Sequence, residues 1–239
     1  MVLIEGHRIC GRLAPENSRA AVATAGRLGF VRSVEFDVRG TRDGEVVVLH
    51  GPEYEDCHEC DYGELANLEN GETVPLLSEI VTLCVDRKFL INAEIKEDDD
   101  RVIAAVVATV GASSAARVSS FNRTVLEKVR RRAPHIPLGL LVNDSRTAGD
   151  WDPVPADFLE FHTLPVPGDS VNFCAQLVTR EMVELCHANG LDAMVWFPGD
   201  RTLSISDDYI HNLDKIVKMQ PDVICTNRPD LLATLTLLN

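Results

Sequence analysis

The stretch Phe89-Leu-Ile-Asn-Ala-Glu-Ile-Lys96 leads through Glu97-Asp98 into Asp99-Asp-Arg-Val-Ile-Ala-Ala-Val-Val-Ala-Thr-Val110 and stops at Gly111. Its first part, Phe89–Glu94, is a short apolar run, the signal of a buried strand. Its second part opens on acids and closes on glycine, the signature of a helix over Asp99–Val110. A second strand-like run, Ala116–Ser120, follows at once. Strand, helix and strand within about 30 residues are a parallel pair joined by a crossover helix.

The same unit recurs in both directions. Strand-like runs fall at Val2–Gly6, Val34–Val38, Leu138–Val142, Asp157–Phe161, Ala193–Phe197 and Val223–Thr226. Helical patterns lie between them at Asn17–Leu28, Leu76–Val85, Arg123–Arg132, Thr179–Ala188, Asp207–Lys218 and Pro229–Leu238, the first with Asn17 as its expected N-cap. Eight strands in 239 residues match the count of a (β/α)₈ barrel. An open doubly wound sheet shows the same alternation. The two differ in one respect: a barrel pairs Val2–Gly6 with Val223–Thr226.

Two places break the rhythm. Glu45–Leu49 follows the turn Arg42-Asp43-Gly44 and reads as a hairpin return of the second strand. The polar stretch Gly51–Val74 is then a short insertion, expected over the mouth of the barrel. No linker rich in Pro, Gly or Ser divides the chain, so residues 1–239 are expected to form one domain.

Composition narrows the function. With 23 Lys+Arg against 37 Asp+Glu the net charge is −14, which argues against a nucleic-acid partner but leaves room for a small phosphorylated ligand. Seven scattered cysteines make a poor disulfide framework and fit reduced thiols in a cytoplasm. No signal peptide is visible, and the longest apolar stretch, Val102–Val110, is too short for a membrane span.

In such barrels chemistry sits at the C-terminal strand ends. Collected there are His7-Arg8, Glu35, Asp37, His50, Glu94, Lys96, Ser120, His162, Trp196 and Asn227. Glu35 and Asp37 are two apart, so both carboxylates share a face, and Glu94 and Lys96 repeat the arrangement. Three converging carboxylates repel unless a cation joins them, and all-oxygen ligation suits Mg²⁺ or Ca²⁺ better than zinc. The competing reading pairs Glu35 and Asp37 with Arg32, Arg39 or Arg42 on a solvated strand end. His7 and His50 each end a strand and titrate near neutrality, as an acid/base pair requires. Singly, each reads more readily as a structural histidine than as a catalytic one.

Taken in order, these residues resemble a known family. His7-Arg8, Pro15-Glu16-Asn17-Ser18, Glu35-Phe36-Asp37-Val38, Thr41, Asp43-Gly44 and His50 are similar to the N-terminal signature of glycerophosphodiester phosphodiesterases. Glu94-Ile95-Lys96, Ser119-Ser120-Phe121, Gly190-Leu191, Val195-Trp196 and Thr226-Asn227-Arg228-Pro229-Asp230 continue the likeness. The resemblance implies a TIM barrel and hydrolysis of glycerophosphodiesters to glycerol 3-phosphate and an alcohol. It implies a divalent cation on Glu35, Asp37 and Glu94, His7 and His50 as acid and base, and phosphate on Arg8 and Lys96. Trp196 would wall the substrate pocket. An inactive barrel that binds a phosphorylated ligand and a phospholipase D-like barrel that forms a cyclic phosphate are the alternatives. The chain departs from the family pattern at Ile9 (usually Gly), at Gly51 (usually Asp) and at Phe197-Pro198-Gly199 (usually Thr-Val-Asn). Glu5 falls on the face expected to point into the barrel, with two roles open: pairing with a cation or tuning His7. Cys57-His58-Glu59-Cys60 is a lone CxxC without a second ligand pair, which favours a plain loop over zinc.

Overall fold

Alternate residues of the strands face opposite ways, and here both faces are buried. The computed structural model describes residues 2–51, 56–65, 67–68, 70–111, 113, 115–142, 170–198 and 207–238. Its first half holds β1 (Leu3–Gly6), α1 (Arg19–Leu28), β2 (Ser33–Gly40), β3 (Val46–Val48), α2 (Leu77–Asp86), β4 (Leu90–Ile95) and α3 (Asp100–Val110). Then come β5 (Ala116–Ser120), α4 (Arg123–Arg132), β6 (Leu138–Val142) and β7 (Ser170–Cys174). The chain ends with α5 (Arg180–Ala188), β8 (Asp192–Trp196), α6 (Asp207–Met219), β9 (Val223–Thr226) and α7 (Pro229–Leu238).

Eight strands run parallel around a ring, β1-β2-β4-β5-β6-β7-β8-β9. The ring closes where β1 pairs with β9, Leu3 opposite Val223 and Gly6 opposite Thr226. That pairing separates a (β/α)₈ barrel from an open sheet. β3 is the hairpin return expected after Gly44: it lies antiparallel on β2, with Val38 opposite Val48.

Helix boundaries follow the capping residues. Asp99, Asn122 and Thr179 cap α3, α4 and α5 through their side-chain oxygens. At α1 the expected cap moves by one residue: Ser18 accepts from the Ala21 N–H, while Asn17 has a φ of 56°. Asn17 is drawn out of the helix because its side chain is bound to Asp37.

The barrel wall at β7 also differs from the sequence reading. Ser170–Cys174 pairs with both β6 and β8, the position the sequence reading gave to Asp157–Phe161. The run Asp157–Phe161 and the rim residue His162 lie outside the described residues. Ser170 and Asn172 disguise the strand, since its polar side chains point into the barrel and bond each other at 2.8 Å. Gly139 makes room for them, because a Cβ there would lie within about 3 Å of both side chains.

The lumen is polar where such barrels are commonly filled by Val, Ile and Leu. Glu5 is fully buried at its base. It accepts from Ser33 Oγ, from Asn92 Nδ2 at 3.2 Å and from the Arg117 guanidinium. The two roles open to Glu5 thus resolve into pairing, with Arg117 as the cation. Replacing Arg117 by Met leaves the carboxylate uncompensated and is expected to destabilise the fold by about 3–5 kcal/mol. Urea unfolding measures this, and adding Glu5→Leu should recover much of the loss; equal losses in single and double variants would refute it.

Among the described residues of the insertion, none lines the cavity at the mouth. Its described residues pack a separate cluster, Val47, Leu49, Cys57 and Val74, with Tyr62 and Leu65 against it. Arg42 ties the segment down by donating to Asp61 and Glu64 side chains and to the Glu59 carbonyl. No helix among the described residues is long and apolar enough to cross a membrane.

Candidate active site

The site begins where β1 ends. The His7 N–H donates to the Thr226 carbonyl at 3.0 Å, so the ring leaves the barrel beside β9. Arg8, Ile9 and Cys10 then have φ values of 47°, 58° and 66°. Three consecutive left-handed residues, one of them β-branched, make a conformation costly outside a functional site. Burial of the Ile9 side chain and donation of its N–H to the Glu35 carbonyl at 2.9 Å hold the turn in place. Gly6 is obligatory beneath it, since a Cβ there would stand 2.5 Å from Cys10 Sγ. The turn aims the Arg8 N–H at Glu35 Oε2, 2.9 Å away.

Glu35 and Asp37 leave the lumen face of β2, and Glu94 and Lys96 that of β4; the register places Asp37 opposite Glu94. One oxygen from each of Glu35, Asp37 and Glu94 lies within 4.8 Å of the other two. The pairing with strand-end arginines that rivalled this cluster does not occur. Arg39 binds Glu97 and Arg42 binds Asp61, while Arg32 is exposed. The cations on the cluster are Lys96, whose Nζ is 2.7 Å from Asp37 Oδ1 and also contacts Glu94, and Arg8, 3.8 Å from Asp37 Oδ2.

Electrostatics mark the trio as under-compensated. Burial, then the neighbouring Asp37 and Glu94, push Glu35 well above the usual carboxylate range. Burial also raises Glu94, with Lys96 opposing. For Asp37 burial pushes upward, but Lys96, His50 and Arg8 together outweigh it and hold the group ionised. Glu35 Oε1 is buried with no hydrogen-bond partner. An orphaned carboxylate oxygen facing two further carboxylates is the donor set of a hard divalent cation, and these residues fit one.

His7 is pushed down to about 3 by burial and by Arg8 and Lys96, against the pull of Asp37, so its ring is neutral at pH 7. Its Nε2 stands 3.8 Å from Glu35 Oε2. His50 follows β3, with Nε2 2.9 Å from an Arg8 guanidinium nitrogen. Trp196 ends β8 and donates to the Asn172 carbonyl at 3.2 Å. Its ring tilts toward His7 at 6.4 Å between centroids and meets Phe121 edge-on at 5.8 Å.

Together these groups line a cavity of about 260 Å³. Its walls include His7, Arg8, Glu35, His50, Glu94 and Lys96 on one side and Phe121 and Trp196 on the other. Of the other rim candidates, Ser120 caps the Ile95 carbonyl and Asn122 N–H instead of facing the cavity. Phe121, nearly half exposed, was not among the rim candidates, although the motif Ser119-Ser120-Phe121 and its place one residue past β5 pointed to it. Among the described residues, the histidines, the carboxylate trio and the two cations come from the first four strands and their loops, within residues 7–96, and the later strands add the Trp196 wall.

A family model for the glycerophosphoryl diester phosphodiesterase family matches residues 7–231. The chain belongs to this family. A relative named glycerophosphodiester phosphodiesterase, from Caldanaerobacter subterraneus subsp. tengcongensis, is 28% identical over 98% of this chain and 97% of its own length. Among solved structures, one of a putative family member from Galdieria sulphuraria superposes with a TM-score of 0.82 at 24% identity, covering 99% of this chain and 98% of that one. An Oleispira antarctica phosphodiesterase in complex with the product sn-glycerol-3-phosphate superposes with a TM-score of 0.76 at 21% identity, covering 98% and 96%. At those identities the structures speak for the shared barrel.

Proposed function

We propose that the protein hydrolyses glycerophosphodiesters to glycerol 3-phosphate and an alcohol, with Glu35, Asp37 and Glu94 holding one divalent cation, Mg²⁺ or Ca²⁺. The carrying observation is the convergence of that trio, with Glu35 and Glu94 lining one cavity beside two histidines and two cations. The cation supplies charge stabilisation to a phosphoryl group whose oxygens gain charge as the bond to the leaving group breaks.

The remaining work falls to side chains of this chain. Arg8 and Lys96 bind and orient the phosphate oxygens. His50, whose Nε2 accepts from Arg8, has its lone pair directed into the site and takes the proton of the attacking hydroxyl. His7 returns a proton to the departing alkoxide. That step needs the protonated ring, which burial, Arg8 and Lys96 disfavour and Asp37 favours. Trp196 and Phe121 present an apolar wall to the carbon skeleton of the substrate and exclude water from that side.

A panel of glycerophosphodiesters differing in the alcohol, scored for released glycerol 3-phosphate with Mg²⁺ or Ca²⁺ and with a chelator, tests the reading. Release that stops with chelator is expected. A cyclic phosphate as final product would identify the transfer chemistry of the phospholipase D-like alternative, and absence of turnover with any divalent ion would leave a binding protein.

A further inference from the structure

Both nitrogens of the His50 ring face residues of the loop that follows β1. Nε2 lies 2.9 Å from Arg8, and a guanidinium can only donate, so Nε2 is the acceptor. The neutral ring must then carry its proton on Nδ1. That nitrogen is buried and makes no hydrogen bond. It is directed at Glu16 Oε1, 3.7 Å away. The next residue, Gly51, has no side chain to serve Nδ1, and its φ of 137° carries the backbone away in a conformation side chains disfavour.

Glu16 is itself fixed. Its Oε2 accepts from Arg8 at 3.0 Å. The following residue, Asn17, donates its N–H to the Arg8 carbonyl at 3.0 Å and its side-chain amide to Asp37 at 2.8 Å. Burial raises Glu16, but His50 and Arg8 bring it down to about 2, so it is a carboxylate at neutral pH.

We propose that Glu16 is the positioning residue of His50: its Oε1 holds the ring in the Nδ1–H tautomer, which keeps the Nε2 lone pair ready for the nucleophile's proton once Arg8 engages phosphate. A closure of about 0.8 Å brings Nδ1 and Oε1 to hydrogen-bond distance, the tightening that ligand-free sites undergo on binding. No bond to carbon or phosphorus is made by Glu16. It orients the ring and stabilises the positive charge that the ring acquires. This inference rests on the acid–base reading of His50 given above, and the following test separates the two.

The ring ¹⁵N resonances of His50, assigned by their loss in His50→Ala, report the tautomer without any turnover. The intact protein should show Nδ1 protonated, and the isosteric Glu16→Gln should shift His50 toward the Nε2–H form. Glu16→Asp, which keeps the charge, should retain more of the Nδ1–H form than Glu16→Gln. Kinetically, Glu16→Gln should lower kcat about 10–100-fold, the range for groups that orient catalytic ones. In the His50→Ala background it should add less than about 3-fold, because the partner it acts through is gone. An unchanged His50 tautomer in Glu16→Gln overturns the proposal, as does an equal slowing in both backgrounds, which would place the effect on Arg8 or the fold. If the intact protein hydrolyses no diester, the functional reading fails, and the tautomer measurement still decides the role of Glu16.

Discussion

His50→Ala is expected to lower turnover of a glycerophosphodiester by about 10²–10⁴-fold, and His7→Ala by a similar factor, with divalent-cation affinity retained in both. The expectation follows from stoichiometry at phosphorus: one hydroxyl must lose a proton while an alkoxide on the opposite flank gains one. On the proposed reading the two rings divide this work: His50 lies beside Arg8 beyond β3 and His7 beside Trp196 at the end of β1. A substrate whose leaving group departs without a proton, such as a nitrophenyl ester, separates the roles. It should restore the rate of His7→Ala and leave His50→Ala slow. Rescue of the other variant would exchange the assignments, and full activity in both would make the histidines structural. Single-turnover rates read the chemical step apart from product release.

The second large effect concerns the carboxylate trio. Glu35→Gln, Asp37→Asn or Glu94→Gln should each weaken cation binding by more than the about 10–100-fold that outer partners of metal sites cost. Calorimetric titration with Mg²⁺ or Ca²⁺ measures it, and unchanged affinity in all three would place the cation elsewhere. The sign with pH follows from the raised groups. Burial holds protons on Glu35 and Glu94 above the ordinary glutamate range, so protons compete with the cation there and affinity should fall as pH drops through that region. Stability should move oppositely in the two forms of Glu35→Gln. With chelator present the variant removes a poorly compensated buried charge and should melt higher than the intact protein. With cation in excess it should melt lower, because binding to the folded state alone stabilises by about 2.7 kcal/mol at a hundredfold excess over Kd.

Much of this architecture was legible because buried parallel strands are apolar on the face that meets the helices. Val34, Phe36 and Val38 announce β2, and Ile91, Ala93 and Ile95 announce β4, with carboxylates between them that already pointed at the lumen. Legibility failed where the lumen itself is polar. Ser170-Val-Asn-Phe-Cys174 was passed over in favour of Asp157–Phe161, because Ser170 and Asn172, which bond each other inside the barrel, break its apolar run. Glu5 was a conflict in the sequence because its partner, Arg117, is 112 positions away and no local pattern links them. Asn17 looked like a helix cap because asparagine is good at capping; its competing bond to Asp37 is a tertiary contact, and it prevailed. The insertion was expected over the mouth by analogy with other barrels, and that analogy gave no sign of the small core that its described residues build with Val47 and Leu49 beside β3.

The concentration of charged groups between His7 and Lys96 bears on how such an enzyme diversifies. On the proposed reading the reacting groups form one contiguous block, whereas the surface that would meet the alcohol is assembled from β5 onward, with Phe121 and Trp196 as its plates. Exchange of the C-terminal half between relatives would therefore reshape substrate choice while leaving the reacting groups intact. The seams of such a chimaera would be the β4–β5 and β1–β9 ladders, and the exchanged half would have to keep Arg117, the buried partner of Glu5. Variation can accumulate on one side of the barrel without eroding the chemistry on the other.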